Sequence, residues 1–279
     1  MSKTKPRGEH PPSDLPAALL REPAAPVPHG EDKVVGGISD LLRHLAEDVQ
    51  SNQVCWYRGH DLYRWKLLPT LARNSEHLAA ELDLLGKFQQ DASLLLVHSA
   101  LNQEWQWLTI MQHHGCPTRL LDWSESPLVA LYFAVSNKDH LNEDGALWLL
   151  LPHRLNELRG IRPKYPKQIP SFGDEVMTAY TPTTVSRETM STMGPIAIIG
   201  PRNTPRMQAQ LGVFTIIHRD ATAIEEVPPG PAGRHVWRYR IRAQDKPRII
   251  QELALLGVKK FQLFPELSSI GEILKGGLA

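Results

Sequence analysis

The sequence predicts an α+β fold, with a helical first half and a second half built mostly of strands. Two observations carry this. Apolar residues recur at helical spacing early in the chain, as in Ile38, Leu41, Leu42, Leu45 and Val49. Short apolar and β-branched runs dominate later, at 146–151, 196–199, 212–218 and 235–242. Helices first and strands afterwards favour α+β over a doubly wound α/β sheet.

Taken in order, residues 1–33 hold seven of the 23 prolines among Gly, Glu and Lys, and read as a flexible arm. Residues 34–279 read as a single domain. A first helix starts at Ile38, capped by Ser39 or Asp40. The run 54–58 is short, β-branched and aromatic, and Gly59 ends it as a strand. Residues 66–73 contain Pro69 and read as an ordered loop. A long amphipathic helix is expected over 76–98, with Leu78, Leu82, Leu85, Phe88 and Leu95 along one side. A further helix spans 104–114, and Gly115 suits its left-handed cap. Residues 118–123 cross the core, and Ser124 and Pro127 introduce a buried helix ending near Val135. Residues 160–194 are rich in Pro, Ser, Thr and Gly, and read as a long loop able to lid a site. A helix over 247–256 is stopped by Gly257, a last strand covers 261–264, and a last helix 267–274.

Composition narrows the function. A chain of 279 residues with 42% hydrophobic and 22% charged residues is an ordinary globular protein. A net charge of +1 argues against nucleic-acid binding through bulk electrostatics. Two cysteines make no disulfide framework, so a reducing compartment is expected. No signal-peptide core and no window of about 18 apolar residues appears. These features lead to the expectation of a cytoplasmic, non-membrane protein.

Three stretches carry chemistry. In the first, Cys55 to His60, Arg58 offers a planar fork for phosphate or carboxylate, and Gly59 lets a ligand approach the backbone; a structural ion pair is the bland alternative. In the second, Met111 to Ser124, two His, a thiol, an Arg and an Asp run straight into core-forming sequence. Such groups must find partners or do chemistry, because burial without partners costs a few kcal/mol each. Arg119 and Asp122 face opposite sides if extended, and Asp122 is a candidate partner for either arginine. His113, His114 and Cys116 lack the further ligands that a zinc site needs, so no metal is expected. Cys116 reads as inert filler rather than a nucleophile. In the third, Pro205 to Thr215, Gln208 and Gln210 precede a strand, where side-chain amides can grip a ribose hydroxyl or a carboxamide.

These stretches, in this order, resemble the FRG domain, a family named for its Phe/Tyr-Arg-Gly signature, here Tyr57-Arg58-Gly59. The family pattern continues in Leu68-Pro69-Thr70 with Arg73, in the block Gln112 to Ser124, in Ala130-Leu131-Tyr132-Phe133-Ala134, in Arg206 to Phe214, and in Gly257 with Phe264-Pro265-Glu266-Leu267. A second, weaker resemblance is to ADP-ribosyltransferases, which hold NAD in a cleft of a split, mostly antiparallel sheet. The run Arg206 to Gln210 is similar to the Arg-Gln-Ala-Glu run of DNA-modifying ADP-ribosyltransferase toxins, with Gln where those have Glu.

The resemblance implies an NAD-consuming ADP-ribosyltransferase-like protein with NAD as its substrate, a nucleic-acid or protein acceptor, and a toxin or phage-defence role. Arg58, Gln210, Gln208 and Asp122 then form the catalytic set, with the Gln residues orienting the ribose. Tyr57, Gly59, His113, His114, Thr118, Arg119, Trp123, Ser124 and Arg206 bind the nucleotide. A neutral amide stabilises an oxocarbenium-like charge less than a carboxylate does, so Glu104, Glu175, Glu188 and above all Glu266 are candidate replacements. The rival expectation is a non-catalytic module that binds a nucleotide or a partner through the same cleft. A metal-dependent hydrolase using His113, His114 and Cys116 is the third.

Overall fold

The computed structural model describes residues 32–50, 52–96, 103–161, 169–187 and 193–276. The expected arm lies outside them except for its last two residues. Those two are tied down: Asp32 accepts from Arg238 Nε at 2.7 Å, and Lys33 pairs with Asp48 at 2.8 Å.

Helix α1 (Ile38–Asp48) precedes strand β1 (Trp56–His60). A 3-10 turn, Thr70–Arg73, closes the following loop. Helices α2 (Ser75–Ala79), α3 (Glu81–Ala92) and α4 (Glu104–His113) come next. Strand β2 (Leu120–Ser124) leads into α5 (Pro127–Val135), then β3 (Gly145–Leu150) and α6 (Pro152–Leu158). Helix α7 (Pro182–Arg187), strand β4 (Ile196–Ile198), helix α8 (Pro205–Ala209) and strands β5 (Gly212–Ile216) and β6 (Val236–Ile241) follow. Helices α9 (Lys246–Leu255), α10 (Lys260–Leu263) and α11 (Leu267–Gly276) complete the described chain. None of the described helices is long and apolar enough to cross a membrane.

The six strands form one open sheet in the order β4-β5-β2-β1-β3-β6, antiparallel at every junction. The α+β expectation holds, although helices also populate the second half. Junctions differ in strength. β1 meets β3 in five register pairs and β2 meets β5 in five, whereas β1 and β2 share the single pair Tyr57–Ser124. The sheet therefore forks past this pair.

Local sequence explains the elements that frame the fork. Helix α4 ends as expected on Gly115, whose φ is +77°, with Cys116 N donating to Met111 O at 2.9 Å and Gly115 N to Gln112 O at 3.1 Å. Ser126 caps α5, with Pro127 in its first turn. Helix α5 is apolar nearly all round, the pattern of a buried helix, and it lies against β1. Strand β3 is buried along its whole length, between β1 and β6.

Five expectations are corrected. Gly37 stands at the start of α1, with Ser39 and Asp40 already inside the helix, and Ser126 caps α5 because Ser124 is paired with Gly212 in the sheet. The helix expected over 76–98 is two helices, α2 and α3, meeting at Ala80 and ending at Ala92, and residues 97–102 lie outside the described chain. The expected strand 261–264 is helix α10: all six strands of the sheet pair elsewhere, and a 3.6-residue turn buries Leu263. The 160–194 segment, in its described part, forms a 3-10 turn (Glu175–Tyr180) and α7, and packs inward. Met177 and Tyr180 are at most 1% exposed, beside Leu108, Met111 and Phe214. Apolar burial draws this segment into the core, so its described residues lid neither cavity described below.

Candidate functional site

A cleft of about 380 Å³ opens beside the β1–β2 junction. Tyr57 and Arg58 reach it from β1, and Asp122, Trp123 and Ser124 from β2. Helix α4 adds Thr109, Gln112 and His113; α5 and the residues after it add Phe133 and Asn137; the α8 segment adds Arg206 and Gln210.

Arg58 is half-buried at the fork. Its Nη1 donates to the backbone oxygen of Asp122, and its Nε donates to His60 Nε2 at 3.0 Å. The guanidinium thus caps a β2 carbonyl at the place where the ladder between the two strands has stopped. Accepting from Arg58 leaves Nε2 of His60 unprotonated. Burial pushes the His60 ring well below its usual range, and the charges of Arg58 and Arg73 add to this. Burial lowers Arg58 as well; Asp122 opposes that shift and Arg73 reinforces it. Among the described residues Arg58 forms no direct ion pair: its hydrogen-bond partners are neutral, and the Asp122 and Asp61 carboxylates act on it from a longer range.

Asp122 is exposed, and its Oδ2 accepts from Gln112 Nε2 at 2.6 Å. Gln112 is oriented in turn by Thr118, whose hydroxyl donates to Gln112 Oε1 at 2.5 Å. His113 faces the cleft. Burial pushes its pKa down, Arg206 and His114 push the same way, and Glu266 opposes them. Arg206 lies over the Phe264 ring at 4.7 Å, and Phe264 meets Phe133 edge-on at 5.8 Å. Phe133 and Arg206 thus line the cleft with Phe264 packed behind them, and Arg206 has no ion pair among the described residues.

The expected site residues divide cleanly. Tyr57, Arg58, Gly59, His113, Asp122, Trp123, Ser124, Arg206 and Gln210 all line the cleft. Four do not. Arg119 is fully buried: its Nε donates to Glu81 Oε2 at 2.6 Å, Nη1 to Ile217 O at 2.8 Å and Nη2 to Tyr180 O at 2.6 Å. It is a core ion pair, on the opposite side of the chain from Asp122. Gln208 is exposed on α8 away from the cleft, and His114 is exposed and packs edge-on against His113 at 5.0 Å. Thr118 acts through Gln112 rather than facing the cleft.

Two roles also change. Gly59 was expected to admit a ligand, but a Cβ there would stand 1.9 Å from Ala130 O and 2.6 Å from Ala134 N. The close approach is that of helix α5. Gln210 does line the cleft, yet its Nε2 donates to Leu263 O at 3.0 Å, and its backbone oxygen accepts from Ser124 Oγ at 2.7 Å. Its amide nitrogen is already engaged.

Sequence reasoning missed Asp61 and Gln112. Asp61 lines the cleft nearly buried; its carboxylate accepts from Asn137 and lies 2.7 Å from His140 Nδ1, while Lys246 Nζ donates to its carbonyl at 2.9 Å. It directly follows His60, and its partners lie far along the chain. Gln112 opens the second motif and was legible there. Of the glutamates considered, Glu104 binds Thr183, Glu175 is exposed away from the cleft, Glu188 is outside the described residues, and Glu266 approaches His113 without lining the cleft. Among the described residues no three His, Cys, Asp or Glu side chains converge as a metal site requires.

The family model of the FRG domain matches residues 53–143 and supports the FRG family. The matched span carries Arg58, Gln112, His113 and Asp122, while Arg206 and Gln210 lie beyond it. Among curated proteins and among solved structures, nothing matches the chain.

Proposed function

We propose that this FRG-domain chain binds a phosphate-bearing nucleotide in the cleft beside the β1–β2 junction, with NAD the first candidate. The observation that carries the reading is Arg58. A half-buried guanidinium whose hydrogen-bond partners are a carbonyl and a neutral ring nitrogen, with no carboxylate in direct contact, can take up an anionic ligand, and its planar fork matches phosphate oxygens. Arg206 supplies a second cation, and Phe133, backed by Phe264, supplies an apolar surface for a base.

Titration calorimetry of NAD against wild type and Arg58→Ala tests this. The variant is expected to stay folded and to lose affinity by about ten- to a hundredfold. Equal affinity in the two proteins would overturn the reading.

ADP-ribosyl transfer is the second reading, and Asp122 favours it. Its exposed carboxylate stands on the cleft wall, and a carboxylate there would stabilise the positive charge that develops on the ribose as nicotinamide leaves. In that reaction the bond from ribose C1′ to the nicotinamide nitrogen breaks and nicotinamide departs with the electron pair. A nucleophile of a protein or nucleic-acid acceptor bonds to C1′ and releases its proton to solvent. A toxin or phage-defence role would follow from such an acceptor. Nicotinamide released by wild type in the presence of lysate, and by neither Arg58→Ala nor Asp122→Asn, is the expected result. NAD binding with no release leaves a binding module.

A further inference from the structure

A second cavity, of about 230 Å³, lies beyond the Gln112–Asp122 hydrogen bond. Arg58, Gln112 and Asp122 line both cavities, so this amide–carboxylate contact is the partition between them. On the far side Arg73, Thr70 and Cys116 join Arg58. Arg73 ends the 3-10 turn Thr70–Arg73, and its guanidinium lies over the Trp65 ring at 5.4 Å. Like Arg58, it forms no ion pair among the described residues.

Two guanidinium groups around one small cavity repel each other; Asp122, which also lines the cavity, offsets Arg58 in part, while Arg73 has no carboxylate partner among the described residues. Arg73 pushes the Arg58 pKa down, against the opposing push of Asp122 and Asp61. Packing that holds such a pair together gains most when an anion enters between them, and hydroxyls such as that of Thr70 complete an oxyanion's hydrogen bonds. The pair was half legible in the sequence, where Arg73 follows Leu68-Pro69-Thr70.

We propose that the second cavity is a phosphoryl-binding site in which Arg58 and Arg73 together hold a phosphate or pyrophosphate group. The inference rests on the reading of Arg58 as an anion ligand and extends it past the partition. Such a group has two sources: the nucleotide that occupies the main cleft, or a separate small phosphate compound.

Pyrophosphate is the probe, titrated calorimetrically into the full chain. Wild type is expected to bind one equivalent, and Arg73→Ala to weaken binding about ten- to a hundredfold. Arg73 is exposed, so the variant should fold, which its melting curve checks. Cys116 gives an independent readout on unmodified protein: pyrophosphate should slow its alkylation, followed by mass spectrometry, and leave that of Cys55 unchanged. Competition between NAD and pyrophosphate would identify the nucleotide's own phosphates as the source; simultaneous binding would identify a separate anion. Either result supports the site. Unchanged binding in Arg73→Ala, loss of binding in Arg206→Ala alone, or no protection of Cys116 would overturn it. If wild type binds NAD but not pyrophosphate, this inference falls and the reading of the main cleft stands. If it binds neither, both fall.

Discussion

Arg58 and Arg119 look interchangeable as candidates for a ligand, yet their surroundings give them opposite work. Arg119 has a carboxylate partner and two carbonyl acceptors in a dry core. Removing one member of such a pair strands the other charge, so Arg119→Ala is expected to cost about 3–5 kcal/mol in urea unfolding. Arg58→Ala removes a cation held by neutral groups and should change stability far less while it weakens ligand binding. If Arg119→Ala unfolds at the wild-type urea concentration, the core assignment is wrong. At this scale the sequence made both arginines visible. It could not sort them, because the partner Glu81 and the acceptor carbonyls of Tyr180 and Ile217 come from distant segments that only folding brings near.

The contact of α5 with β1 decides the shape of the cleft. Small residues at Ala130 and Ala134, one turn apart, bring the helix backbone onto Gly59. Gly59→Ala places a methyl group 1.9 Å from a backbone oxygen, so strand and helix must separate. The expected cost is about 3 kcal/mol or more, read as a lowered melting temperature together with weakened ligand binding. A variant that melts like wild type would show that the interface can yield. The glycine of the Tyr-Arg-Gly signature thus has a packing reason, where the sequence offered a ligand-access one. Other elements were legible to different degrees. The α4 cap and Pro127 in the first turn of α5 follow from local chemistry and were read correctly, whereas the cap of α5 is Ser126 and not Ser124, which ends β2. The 261–264 segment was misread because a four-residue apolar run carries no period able to separate strand from helix turn.

Across the whole molecule, the two halves of the chain are stitched together by polar contacts as well as by the sheet. The Glu225 carboxylate accepts from Leu67 N at 3.2 Å, joining the loop after β1 to the turn before β6. Burial pushes its pKa from the ordinary 4.5 up to about 7. A raised folded-state value means the native state keeps a proton that the unfolded chain has released. The associated stability is full below about 4.5 and is lost as pH rises through about 7. The carboxylate is partly open to solvent, so the loss is expected to be about 1–2 kcal/mol rather than the full shift. Urea midpoints of wild type should fall between about pH 5 and pH 8, and Glu225→Gln should flatten that portion of the profile. An identical slope in both proteins would sink the assignment.

By itself the sequence determined the α+β class, the identity of half of the cleft residues and their resemblance to the FRG family, because motif order and local periodicity are properties of neighbouring residues. Only the tertiary structure decided where the sheet forks, that Arg58 faces the cleft with neutral hydrogen-bond partners while Arg119 is locked in the core, that the amide nitrogen of Gln210 is engaged, and that the described part of the 160–194 segment packs inward. Each of these depends on a partner brought in from far along the chain. Pairing, burial and electrostatic balance are set by such long-range neighbours, which no local pattern records.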